Sequence, residues 1–202
     1  MTRLDFIAQN FMQQTVTKQD LLEHGVIGWN TPNIFIRDSR PSDRAAIKEL
    51  TLAAYQEYAE PLGVYWEGYK GEMLRRLENV KPAQQIVVDD NGEIVATILL
   101  YPAGTTFTAP NGEQLTAEFP EMRLLAVKSE KRGRGLATLL MRECVERAKA
   151  SGAKTLMFHT TALMRAVPLY QRVGRFVRAA HFDFQLAPGV MLECYRLDIR
   201  GK

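Results

Sequence analysis

Apolar positions change their period several times along this chain, and each change marks an element. Ile34 and Ile36 alternate with polar neighbours, the period-two pattern of a half-buried strand. Ser42 or Asp43 can cap a helix whose apolar positions include Ile47, Leu50 and Ala54. A second helical stretch runs from about Trp66 to Leu77. Ile86 to Val88 and Ile94 to Leu100 read as strands, joined through Asp89-Asp90-Asn91-Gly92, where Asn-Gly supplies the positive φ angles of a tight hairpin. A polar excursion over 105–117 carries a second Asn-Gly at Asn111-Gly112, which suits a longer hairpin or a mobile flap. Glu121 to Val127 is the next strand. Ala137, Leu140, Met141, Cys144 and Ala148 then recur at three- and four-residue spacing, the stripe of an amphipathic helix. Thr155–Thr160 follows as strand, Leu163–Arg172 as helix, and Phe176–Ala179 and Val190–Leu197 as strands. Hairpins come first and a β-α-β-α-β unit second, so the expected class is mixed α/β, one sheet flanked by helices.

Residues 1–33 read as an N-terminal extension, partly helical where Asp20 and Glu23 resemble a capping box around Leu21 and Leu22 and Gly25 ends the turn. Residues 34–202 then form a single domain, a size that supports one substantial core. The chain has 202 residues, 46% of them hydrophobic, which argues against disorder. Cys144 and Cys194 fall on apolar positions and read as buried thiols, which suits a reducing, cytoplasmic compartment. Neither a signal segment nor an apolar run of roughly 18 residues is found, so no membrane association is expected.

Net charge is only +3, but it is unevenly spread. From Lys131 to Arg178 eleven basic residues meet two acidic ones, giving +9 there and −6 elsewhere. A basic half facing a polyanion and an acidic half facing an amine is one reading; a solvated helix face is the other. Aromatic residues do not interleave with the basic ones as a stacking platform requires, so nucleic acid is not the expected partner. His24, His159 and His181 are too scattered for a local ligand motif, and no metal is expected.

The chemically informative run is Leu125 to Ala137, LAVKSEKRGRGLA, an apolar strand entering a glycine-arginine turn that opens a helix. Gly133 and Gly135 let the backbone turn sharply and present N–H groups to an anion. A helix N-terminus adds about 0.3–1 kcal/mol per exposed negative charge. The same residues would also suit an ordinary basic turn. The run lacks the Lys-Ser/Thr ending of a nucleotide P-loop and the acidic ribose-reading residue of a dinucleotide fold.

Taken with the element order, residues 34–198 resemble the GCN5-related N-acetyltransferase (GNAT) superfamily. The signature R/Q-x-x-G-x-G/A reads Arg132-Gly133-Arg134-Gly135-Leu136-Ala137; Leu125-Ala126-Val127 precedes it and Leu169-Tyr170-Gln171-Arg172-Val173-Gly174 follows at the family's separation. The resemblance implies a sheet whose central strands splay. It also implies a coenzyme site in which Arg132, Gly133, Arg134, Gly135, Leu136 and Ala137 cradle the pyrophosphate, Thr138 lies just behind, and Leu125, Ala126 and Val127 pair with the pantetheine arm. Tyr170 matches the general acid that protonates the leaving thiolate. Glu121 matches the base, with Glu118 or a water chain as alternatives and His159 as a second candidate; Glu121 shares a face with Arg123 and Leu125 only if no bulge intervenes. Where many members have an asparagine this chain has Leu163, and Thr160 or Thr161 could substitute for it.

The implied function is transfer of an acetyl group from acetyl-CoA to a primary amine, small molecule or peptide, by direct attack in a ternary complex; neither cysteine suits a covalent route. A non-catalytic acyl-CoA-binding module is the alternative. Tyr55, Tyr58, Tyr65, Trp66 and Tyr69, with Glu57 and Glu60, border the acceptor side in similar proteins; they equally suit core packing or a homodimer contact.

Overall fold

The computed structural model describes residues 14–15, 34–81, 84–108, 112, 114–164, 167–187 and 190–200. The expected capping box after Asp20 lies outside them. Strand β1 (Gln14–Thr15) pairs with β2 (Ile34–Asp38), and the chain then covers one sheet face with α1 (Arg44–Tyr55), the short α2 (Ala59–Leu62) and α3 (Trp66–Asn79). Strands β3 (Gln85–Asp90) and β4 (Glu93–Tyr101) form the hairpin expected from Asn91-Gly92, whose φ angles are 55° and 88°. The polar excursion is a small separate hairpin of β5 (Thr106–Thr108) and β6 (Gln114–Thr116). Then come β7 (Glu121–Val127), α4 (Leu136–Ala150), β8 (Thr155–Thr160), α5 (Val167–Tyr170), β9 (Val177–Arg178), β10 (Phe184–Ala187) and β11 (Val190–Asp198).

Among the described residues the main sheet runs β1-β2-β3-β4-β7-β8-β11-β10, with β9 beside β11. Its pairings are antiparallel except β7 with β8. The β-α-β-α-β expectation is therefore corrected. Only the crossover through α4 is parallel; the chain leaves β8 and returns antiparallel along β11, and among the described residues Leu163–Arg172 is helical only over Val167–Tyr170. Strand β10 had no counterpart in the apolar pattern.

The sheet's two faces carry separate cores. Helix α4 lays Leu136, Leu140, Met141 and Cys144 on Ile86, Val88, Ile98, Met122 and Phe158. Helices α1 and α3 bring Ile47, Leu50, Met73 and Leu77 onto Val87, Leu99, Leu124 and Ala126. Each fully buried aliphatic chain contributes roughly 1.5–3 kcal/mol. Asp43 does not cap α1. Its carboxylate instead accepts from buried Arg37 at 2.6 Å and from the Arg40 amide at 2.7 Å, while Arg37 also donates to Asp89 at 2.8 Å, tying β2, β3 and the α1 approach together. Among the described residues no helix is long and apolar enough to cross a membrane.

Candidate active site

Strand β7 changes character at its centre. Leu99 of β4 stands opposite Arg123 and Thr97 opposite Ala126, so Leu124 and Leu125 together face one residue, Ile98. Leu124 takes up this bulge with φ 49°, a left-handed conformation that a leucine adopts only at a cost. The extra residue inverts the alternation. Met122 faces the α4 side, whereas Leu124 and Ala126, which would share its face in a regular strand, join the α1/α3 core, and Leu125 and Val127 turn to the α4 side. Glu121 accordingly shares a face with Arg123 but not with Leu125.

The same strand parts from its neighbour. Pairing of β7 with β8 is confined to Glu121–Met157 and Met122–Phe158, and past that point a cleft of about 300 Å³ opens. Its lining includes Leu125, Ala126, Val127, Arg132, Gly133, Gly135, Leu136, Ala137 and Thr138, every expected coenzyme-site residue except Arg134. Gly133 and Gly135 have φ 75° and 85°, and Gly135 is the left-handed N-cap of α4. A residue with a side chain would be strained there. Among the described residues no side chain caps this helix, which leaves its first amides to an anion at the positive end of the dipole. The Arg132 guanidinium reaches back to α1 and the turn after it, donating to Glu57 at 3.1 Å and to the Ala54 carbonyl at 3.3 Å; its side chain braces the cleft across the sheet.

A second cavity, of about 550 Å³, lies on the α3 side. Tyr55, Tyr65, Tyr69, Phe107 and Phe184 form aromatic walls, and Arg75, Arg76 and Arg123 bring charge. Tyr55, Met164 and Tyr170 line both cavities, so the two meet there. Trp66, by contrast, is core, and Glu60 is exposed. The Tyr170 ring is 6% exposed and stacks on Phe158 with centroids 3.5 Å apart. Burial, with smaller effects from Cys144 and Tyr69, pushes its phenol well above the usual range, so it stays protonated. Leu163 is exposed at the polar position expected from the family. The Thr161 hydroxyl accepts from the Leu163 amide at 3.1 Å, while Thr160 lines the larger cavity.

Glu121 lies behind that cavity's wall, 2% exposed. Burial alone would raise its carboxyl; the Arg123 charge and the His159 ring outweigh this and hold it at about 2. Arg123 Nε is 2.8 Å from Glu121 Oε1 but off the line of a hydrogen bond, so the contact is an ion pair. His159 Nδ1 is 2.5 Å from the same oxygen, and Nε2 is 3.0 Å from the Phe182 carbonyl. A carboxylate and a carbonyl are both acceptors, so the His159 ring is held between Glu121 on β7 and the segment before β10. The Glu118 alternative sits exposed before β7. Sequence reading took Arg123 only as a strand neighbour of Glu121 and did not single out Phe107 or Phe184, because only the fold joins their three segments at one wall.

The description "Acetyltransferase (GNAT) family" matches residues 46–174. Solved structures share the fold. A GNAT family acetyltransferase from Brucella melitensis in complex with acetyl-CoA is 20% identical over 84% of this chain and 90% of its own, with a TM-score of 0.53. A GNAT family acetyltransferase from Streptococcus agalactiae is 17% identical over 84% and 96%, TM-score 0.59. One from Staphylococcus aureus Mu50 is 14% identical over 83% and 100%, TM-score 0.60. No curated protein matches the chain. With the glycine turn, the parted strands and the family match over more than half its length in agreement, the chain belongs to the acetyltransferase (GNAT) family.

Proposed function

We propose that the protein transfers an acetyl group from acetyl-CoA to a primary amine by direct attack in a ternary complex. The observation that carries this reading is the junction of the two cavities at Tyr170: one suits the coenzyme, the other an acceptor, and a buried proton donor lies on both. Gly133 and Gly135 adopt the turn a diphosphate needs, with an uncapped helix behind them. When bound, acetyl-CoA supplies the activated acyl group as a thioester. The backbone of Leu125, Ala126 and Val127 orients its arm along the cleft wall, and holding both partners together supplies the effective molarity.

Tyr170 serves as general acid. A phenol held protonated by burial can give its proton to the departing thiolate, and the proton shed by the attacking nitrogen as the C–N bond forms and the C–S bond breaks restores the phenol. Glu121 acts as a positioning residue, fixing Arg123 and His159, since a carboxyl held near 2 takes up protons poorly at neutral pH. The three arginines on the larger cavity disfavour an ammonium beside them, so the acceptor reacts as free amine. Two buried free thiols suit a cytoplasmic setting.

Tyr170→Phe tests this. It should lower turnover in a thiol-release assay by about 10²-fold or more while calorimetric affinity for acetyl-CoA stays within about twofold. Undiminished turnover removes Tyr170 from the chemistry. Failure of the wild-type protein to bind acetyl-CoA removes the reading as a whole.

A further inference from the structure

Building on that acetyl-transfer reading, we propose that the acceptor is an amino carboxylate with an apolar or aromatic body, its carboxylate held by Arg123 and Arg76. Arg123 is enclosed, with 11% of its side chain exposed, yet among the described residues Nη2 has no hydrogen-bond partner and Nε meets only the Glu121 charge, off the line of a hydrogen bond. Its counter-ion Glu121 is already shared with His159. Buried donors are normally satisfied, and an unmet Nη2 on a guanidinium that lines a cavity calls for an acceptor that arrives with a ligand.

Charge points the same way. Among the described residues the larger cavity is lined by three arginines and one acid, Glu72, and that acid is already engaged by Arg76 at 2.8 Å and by Arg75. A polyamine would meet a wall of its own sign; an acceptor bearing a carboxylate brings the missing charge. Two guanidinium carbons stand over the Phe107 ring, Arg123 at 4.8 Å and Arg76 at 5.6 Å, and Phe184 lies 6.0 Å from Arg123. Cation and ring together offer the carboxylate a charged seat beside an apolar surface. Coenzyme phosphates are not the natural ligand of these arginines, because the coenzyme cleft has its own set in Lys131, Arg132 and Arg172.

Matched pairs differing by one carboxylate decide the matter: phenylalanine against phenethylamine, and 4-(aminomethyl)benzoate against benzylamine, which separate amine and carboxylate by short and long spans. Each is titrated calorimetrically into CoA-loaded protein and assayed for thiol release from acetyl-CoA. In at least one pair the carboxylate member should bind tenfold or more tightly, and Arg76→Gln, once its unfolding transition matches the wild type, should reduce that preference below threefold. Equal binding within both pairs, tighter binding of the plain amines, no detectable binding of either carboxylate, or a preference unchanged in both Arg76→Gln and Arg123→Gln overturns the proposal. Thiol release with plain amines but no carboxylate preference would sink this inference and leave acetyl transfer standing. Carboxylate preference without thiol release from any amine would do the reverse.

Discussion

At residue 121 an enclosed carboxylate faces the Arg123 guanidinium and the His159 ring, and its value to the protein is electrostatic. Glu121→Gln keeps the shape but leaves Arg123 buried without its counter-charge, which should cost about 3–5 kcal/mol in urea unfolding at pH 7. The pH dependence has a definite sign. The folded carboxyl sits at about 2 against an ordinary 4.5, so its stabilisation is complete above pH 4.5 and drains away as pH falls toward 2. The glutamine variant should therefore show a flatter decline in stability across that window. The Arg123 contribution to the low carboxyl at 121 comes from a neighbour two positions along the strand, whereas the His159 contribution comes from thirty-eight positions away and only the fold supplies it.

Among the elements, the strands bounded by Asn-Gly and the amphipathic stripe of α4 were readable from local chemistry. The β7 bulge was not, since a bulge is a property of two strands in register and the sequence of one strand does not carry it. The segment after α5 holds a similar lesson. Gly174 does not need an unusual φ; a Cβ there would stand 2.6 Å from Leu197 Cδ1 and 3.0 Å from Cδ2, so glycine is kept for space where the turn crosses β11. Gly174→Ala should destabilise by about 1–3 kcal/mol by chemical denaturation. Trimming the obstacle should relieve it: the double variant Gly174→Ala/Leu197→Ala should lose less than the two single losses combined, and strict additivity would mean that the two positions do not meet.

For the molecule as a whole, a GNAT-like mixed sheet was legible because turn motif, helix stripe and element order agreed with one another. The meeting of two cavities at one tyrosine was not, since it depends on how far β7 and β8 part. Coenzyme bound across that parting would favour the closed, native chain over any opened form, by about 2.7 kcal/mol at a hundredfold excess over Kd. The two thiols make this measurable. Cys144 lies in the core under α4 and Cys194 in a separate cluster with Met157 and Ala179, both 0% exposed, and burial pushes both thiols up, Cys194 to about 12. A chromogenic disulfide reagent should therefore label the native protein only through opening, and saturating acetyl-CoA should slow labelling roughly a hundredfold. The same concealment makes the folded enzyme spectroscopically silent toward the reagent that detects liberated CoA, so single turnovers can be followed with enzyme in excess and every early equivalent of colour assigned to product.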